Sequence, residues 1–180
     1  MTQIRIELVT MGCGILSGLL AVRVDLSGST APLADDDIAF IVKGCLDVRK
    51  IYPSIDYVVV EDLRKVSDHA TDGKLVQLVT ILKENSFMIY GVCRPDISTF
   101  WLHHASYRVL VGNQKEWDKF NMTKINEAVV RGKAKLPGLG ENKGISVFFA
   151  SAIPIDLVKM EGQRVGLYTI PKVLEVLYER

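Results

Sequence analysis

The sequence predicts an α/β fold: a single domain with an open parallel sheet, or a partial (βα) barrel, flanked by helices. Segments with the period of strands alternate with segments of helical period, and the connections between them are short, as in parallel crossover units. The 180 residues suit one domain with one sizeable core. A complete eight-fold barrel needs about 250 residues, so a closed barrel is not expected.

Alternation and turn residues predict the first elements. Residues 4–10 alternate between apolar and polar side chains like a half-buried strand, Gly12 and Gly14 interrupt them, and residues 19–26 form a second strand. Three aspartates at 35–37 provide capping and first-turn carboxylates for a helix that ends before Pro53. The apolar positions of this helix recur at three- and four-residue spacing: Ile38, Ile41, Cys45 and Val48.

The middle of the chain continues the same order. Residues 57–60 form a continuous apolar run, typical of a parallel strand covered on both faces. A helix is predicted over residues 73–85, with Leu75, Leu78, Val79 and Leu82 on its buried side. Further strands are predicted at residues 87–92, 107–111 and 146–150.

The last third of the chain is less regular. Residues 125–130 predict a helix or a strand, and residues 131–144, with four glycines and four basic residues, predict a flexible loop. A final helix is expected after Thr169, with an apolar stripe formed by Val173, Leu174 and Leu177.

Composition argues against several classes of protein. The net charge of +1 provides no field for a polyanion, so nucleic acid is not an expected partner. The longest apolar run, residues 15–22, is too short for a bilayer, and the segment before it lacks the basic start of a signal peptide. A soluble cytoplasmic protein without membrane contact is therefore expected.

Cysteine spacing argues against a metal centre. Cys13, Cys45 and Cys93 are far apart in the sequence and form no C-x-x-C pair, the usual spacing of zinc and iron–sulfur ligands. We expect reduced, partly buried cysteines, no bound metal and no cofactor.

The segment from residue 7 to residue 28 has a distinctive frame: Met-Gly-Cys-Gly at 11–14, Ser-Gly at 17–18 and Ala-Val-Arg-Val-Asp-Leu-Ser-Gly at 21–28. This frame resembles the opening of the 7-carboxy-7-deazaguanine synthase family, which are small radical S-adenosylmethionine (SAM) enzymes. The resemblance continues more weakly to about residue 130, most clearly in Leu-Lys-Glu-Asn-Ser-Phe at 82–87. It implies a radical SAM-like fold.

The residues that carry the family's chemistry differ in this chain. Ser29 stands where the first cluster-binding cysteine is expected, and Thr30 and Leu33 provide no thiolate either. Glu61 and Asp62 replace the paired glycines that let the backbone approach SAM. By the same resemblance, Cys13 replaces a substrate-contacting glutamate and Asp25 a strand-end arginine. The resemblance thus implies a pseudoenzyme that has no iron–sulfur cluster and is inactive as a radical SAM enzyme.

Polar residues follow the predicted strands at the edge where α/β folds bind ligands. The candidate ligand pocket comprises Cys13, Asp25, Ser29, Glu61, Asp62 and Arg94. In one interpretation these groups converge to hold a cation or to provide acid–base catalysis. In the preferred one, Asp25 and Glu61 pair with Arg23, Arg94 or Lys115 on a solvated rim, and Cys13 serves packing.

The function predicted from these observations is that of a non-catalytic scaffold for binding or oligomerisation. Its partner is a second copy of the chain, since members of the resembled family are commonly homodimers, or another protein. The alternative is a repurposed enzyme or a sensor for a purine-like or nucleotide ligand, using Asp25, Glu61 and Asp62.

Overall fold

The structure is a computed structural model that describes residues 4–12, 16–29, 32–64, 73–94, 101, 104–112, 145–150, 167–168 and 177–179. These residues form an open, mixed and mostly parallel sheet with two helices, which confirms the predicted α/β class. The strands are β1 (Arg5–Met11), β2 (Leu20–Asp25), β3 (Tyr57–Asp62), β4 (Met88–Cys93), β5 (Tyr107–Gly112), β6 (Ile145–Ala150), β7 (Leu167–Tyr168) and β8 (Tyr178–Glu179). The helices are α1 (Asp35–Ile51) and α2 (Gly73–Glu84).

The strand order is β7-β6-β5-β4-β3-β2-β1-β8. The strands from β2 to β7 run parallel, each beside its successor in the sequence. β1 departs from the predicted parallel arrangement, because it pairs antiparallel with both β2 and β8. The reason is the short connection from Met11 to Leu20, since a parallel pair needs a crossover of a dozen or more residues.

The helices cover one face of the sheet. Ile38, Ile41 and Cys45 of α1 are buried, as their spacing predicts, and so are Leu75, Leu78, Val79 and Leu82 of α2. They pack in one core cluster with alternate residues of the strands: Val22, Val24, Val58, Val60 and Ile89. Because successive strand residues point to opposite faces, the intervening residues of β2 and β3 lie on the face away from the helices.

The start of α1 differs in detail from the prediction. Ala34 is the N-cap residue and has no polar side chain, so no cap side chain accepts a hydrogen bond there. Instead the Asp37 carboxylate, three residues into the helix, accepts a hydrogen bond from the Ala34 backbone N–H at 3.1 Å. The predicted carboxylates therefore stabilise the helix from within its first turn.

Gly91 of β4 lies beneath the fully buried Trp101 ring. A Cβ at Gly91 would stand 2.7 Å from Trp101 Cε3 and 2.9 Å from Cδ2. We expect Gly91→Ala to lower the free energy of unfolding by about 1–3 kcal/mol, because the indole must shift in a packed core. Urea denaturation measures the loss.

Gly44→Ala in α1 is the matched control. Its Cβ would stand 2.5 Å from Ile6 Cδ1 and 3.3 Å from Cγ2, but Cδ1 is the end of a flexible side chain that can rotate away, unlike the rigid indole, and alanine favours the helix by about 1 kcal/mol. Equal losses in the two variants would contradict the assigned clash with Trp101.

Several sequence predictions lie outside the described residues. These are the element at 125–130, the flexible loop at 131–144 and most of the final helix, of which Leu177 is described and buried.

Candidate functional site

Glu61 lies near the carboxyl end of β3 and is 2% exposed, on the sheet face away from the helices. Arg23 of the neighbouring strand β2 binds it through two hydrogen bonds. Arg23 Nε donates to Glu61 Oε2 at 2.6 Å, and Nη2 donates to Oε1 at 3.0 Å. This two-point geometry matches a planar guanidinium to a planar carboxylate and uses both carboxylate oxygens.

Tyr178 closes the same ion pair from β8. Its hydroxyl donates to Glu61 Oε2 at 2.8 Å, and the Arg23 guanidinium carbon lies 5.1 Å from the centre of its ring. Arg23 also donates to the half-exposed Glu7 of β1, and its Nη2 lies 3.6 Å from Asp25 Oδ2. Four strands therefore contribute side chains to this group, which we call the Glu61 cluster: Glu7, Arg23, Asp25, Glu61 and Tyr178.

The electrostatics of the Glu61 cluster follow from these contacts. The hydrogen bonds to Glu61 raise the pKa of the Arg23 guanidinium further above its usual range, against the opposing effect of burial. Burial raises the pKa of the Tyr178 hydroxyl well above its ordinary value, and the neighbouring Glu61 charge adds to the rise. Tyr178 is thus held as a neutral donor.

Asp62, the last residue of β3, belongs to a separate cluster. It is fully buried, and Arg64, two residues later, binds it through Nε to Oδ1 at 2.7 Å and Nη2 to Oδ2 at 3.0 Å. The side chains of Asp62 and Arg64 are 0% and 2% exposed. A buried charge is stable only when it is paired and hydrogen-bonded, and this pair satisfies both conditions.

Ser29 and Arg94 make contacts with the residues that follow Asp62. The Ser29 hydroxyl donates to the Leu26 carbonyl oxygen at 2.7 Å and lies 3.5 Å from Arg64 Nη1. Arg94, directly after β4, donates from Nε to the Leu63 carbonyl oxygen at 3.1 Å. The Ser29 hydroxyl therefore binds the backbone that follows β2, and Arg94 binds the backbone that follows β3.

The predicted pocket is thus divided. Glu61 and Asp25 are register partners on one face, whereas Asp62, Ser29 and Arg94 form contacts around the loop after β3. Asp25 Oδ1 accepts hydrogen bonds from the Ser27 backbone N–H at 2.9 Å and from its hydroxyl at 2.6 Å. The expected pairing of Asp25 and Glu61 with Arg23 is present, but Glu61 is buried and does not lie on a solvated rim. Cys13 lies outside the described residues.

Sequence reasoning missed Glu7, Tyr178 and Arg64 as members of these clusters. The sequence did indicate a position for Glu7, because it alternates with apolar residues on β1. Its register partner is Arg23, so the two side chains lie on the same face of the sheet. No local pattern indicated the contact of Tyr178, since 117 positions separate it from Glu61 in the sequence.

Tyr178→Phe is expected to flatten the loss of stability at alkaline pH. The pKa of Tyr178 is raised above its ordinary value of 10.0, so the unfolded chain releases this proton before the folded chain does. The stabilisation is complete below the unfolded pKa and is lost as the pH rises toward the folded pKa.

Urea denaturation of both proteins from neutral to strongly alkaline pH measures this effect. The Cys45 thiol, whose pKa burial raises to about 12, contributes equally to both curves, so their difference isolates Tyr178. Parallel curves would contradict the assigned role of Tyr178.

Among the residues that the structure describes, no group of three or more His, Cys, Asp or Glu side chains is placed to hold a metal ion. Neither α1 nor α2 combines the length and the apolar character that a membrane-spanning helix needs. Cys45 and Cys93 are buried and unbridged, as expected for reduced cysteines.

Comparison of the chain with protein-family models, with curated proteins and with solved structures returned no significant match. The resemblance to the 7-carboxy-7-deazaguanine synthase family therefore stays a prediction from the sequence.

Proposed function

We propose that this protein is a non-catalytic, radical SAM-like scaffold that acts by binding a second copy of itself or another protein. The observation that carries the proposal is the state of Glu61 and Asp62 at the carboxyl end of β3. Each carboxylate is buried and has both oxygens bound by an arginine. A carboxylate held in this way is poorly suited to bind a metal or to exchange protons with a substrate.

The positions expected to bind a cluster support the same proposal. The Ser29 hydroxyl is engaged with the Leu26 carbonyl, and a neutral hydroxyl is a poor ligand for cluster iron. Leu33 is 2% exposed and belongs to the hydrophobic core cluster. Both residues therefore stabilise the segment between β2 and α1.

The order of the strands supports the radical SAM-like fold in this proposal. From β2 to β7, parallel strands lie side by side in sequence order, and α1 and α2 occupy the first two connections. A partial (βα) barrel has this arrangement of strands.

The catalytic half of the proposal is tested by anaerobic reconstitution with iron and sulfide, followed by incubation with SAM and dithionite. We expect no visible charge-transfer absorption and no release of 5′-deoxyadenosine. Stoichiometric iron and sulfide with deoxyadenosine formation would overturn it.

The scaffold half is tested by size-exclusion chromatography with light scattering, on purified protein and on protein isolated from its native cell. A strict monomer that retains no other protein would contradict it. Calorimetric titration with guanine and with SAM addresses the predicted alternative, since saturable binding of either would favour a sensor over a scaffold.

A further inference from the structure

A groove of about 1150 Å³ lies between α1 and α2, on the side of the helices away from the sheet. We call it the α1–α2 groove. Its apolar lining consists of a row on α1 and one residue of α2: Ile38, Ala39, Val42, Leu46 and Ile81. Ala39 is exposed, and Val42, Leu46 and Ile81 are half-buried. The groove therefore presents apolar surface between two helices whose opposite sides form the core.

The two ends of the α1–α2 groove differ in charge. Where the helices begin, Lys74 Nζ lies 2.6 Å from Asp35 Oδ1 and joins α2 to α1 through a neutral pair. At the other end, Arg49 and Lys50 lie in the last turn of α1 and line the groove. Within the part of the chain that the structure describes, neither forms an ion pair. They give this end of the groove a positive charge.

Arg49 is held in an orientation suited to binding an anion. Its guanidinium carbon lies 3.9 Å from the centre of the Phe87 ring, and Phe87 is 2% exposed. Stacking on a buried ring fixes the guanidinium plane and leaves the N–H donors at its edge available. A planar guanidinium with available donors matches a carboxylate, and the exposed Lys50 adds a second cation beside it.

We propose that the α1–α2 groove binds an amphipathic helix of another protein, whose apolar stripe covers the groove and whose acidic side chain is bound by Arg49 and Lys50. Helices that dock in this way use apolar residues at i, i+3 or i+4, and i+7. From Asp35 to Lys50, α1 is about 22 Å long, the length of a partner helix of about 15 residues. The inference rests on the proposed scaffold role and names the chemistry of its partner.

The charges on α1 argue against a second copy of the chain as the occupant. In a two-fold dimer through this face, each α1 would insert its own outer side into the groove of the other copy. That side carries Lys43 and Asp47, which are 78% and 50% exposed, and the exposed Lys50. An apolar groove would remove these charges from water without compensation. An acidic helix instead pairs with Arg49 and Lys50 and covers the apolar row.

The test begins with a displayed library of random helical peptides of about 16 residues, selected on the full chain. We expect the enriched peptides to share an apolar stripe at helical spacing and an excess of Asp and Glu. The tightest binder is synthesised with a fluorescent label. Fluorescence anisotropy then measures its Kd for the parent protein and for three variants, each verified as folded by far-UV circular dichroism.

Arg49→Glu reverses the charge at the anchor, and Ala39→Glu places a carboxylate on an exposed wall of the groove. We expect each to raise the Kd by about tenfold or more, because like charges then face the acidic peptide. Arg5→Glu, at an exposed position on β1, is the matched control and should bind like the parent. A peptide with its acids changed to amides should bind the parent and Arg49→Glu equally.

Amide exchange provides an independent readout, since peptide binding should slow it in α1 and α2. A library without binders, binders without acidic residues, or equal affinity for Arg49→Glu and the parent would overturn the inference. Self-association that slows exchange in α1 would also overturn it, by showing a second copy on this face. These results leave the scaffold proposal intact, because a scaffold can bind through another surface. Formation of an iron–sulfur cluster with release of deoxyadenosine would overturn the scaffold itself.

Discussion

Asp62→Asn is expected to cause the largest loss of stability among single substitutions at the strand ends, about 3–5 kcal/mol in the free energy of unfolding. The side chains of Asp62 and Arg64 are 0% and 2% exposed, so the guanidinium that remains has no access to bulk water. Asparagine keeps the shape of the side chain but removes the negative charge to which Arg64 Nε and Nη2 donate their hydrogen bonds. Urea denaturation at neutral pH measures the difference.

Asp47→Asn is a suitable control, because Asp47 pairs with Lys43 on the surface of α1 with side chains 50% and 78% exposed. No measurable change in the unfolding midpoint is expected there. The double variant Asp62→Asn with Arg64→Met should recover much of the loss, since replacing both charges of a buried pair is often nearly neutral. A double variant no more stable than Asp62→Asn would contradict the assigned pairing.

Glu61→Gln is expected to lower the free energy of unfolding by about 2–3 kcal/mol. The substitution removes the charge that Arg23 binds through two hydrogen bonds and that Tyr178 contacts with its hydroxyl. The expected loss is smaller than for Asp62, because Arg23 is 14% exposed and keeps its contacts with Glu7 and Asp25.

Glu7→Gln is the matched control, since it removes a carboxylate from the same arginine at a half-exposed position. Its expected cost is below about 1 kcal/mol, as for other solvated ion pairs. If the two variants lost equal stability, burial would not determine the strength of the Arg23 contacts, and the case for Glu61 as a closed structural carboxylate would fail.

Both predictions concern the edge of the sheet where α/β proteins commonly bind ligands. Large losses of stability at Glu61 and Asp62 would mean that these carboxylates maintain the fold. Such carboxylates are poor candidates for catalysis, which requires access to a substrate and a change of charge. The stability data therefore bear directly on the proposed non-catalytic role.

Part of the arrangement of the candidate site could be predicted from the sequence. Glu61 and Asp62 are adjacent on a strand, and adjacent strand residues point to opposite faces, so their convergence in one pocket was improbable from the sequence. The pairing of Asp25 and Glu61 with Arg23 was among the predicted interpretations. Its burial was not, because burial depends on what covers the face of the sheet away from the helices.

The sequence by itself determined the order of β1 to β6 with α1 and α2, the apolar positions of the two helices, and the absence of closely spaced cysteines, whereas β7 and β8 were not predicted. These features follow from local periodicity and residue chemistry, which need no knowledge of distant contacts. Only the tertiary structure decided that Tyr178 covers the Arg23–Glu61 pair and that β1 runs antiparallel. Those features depend on segments far apart in the chain, and no local pattern encodes which of them meet.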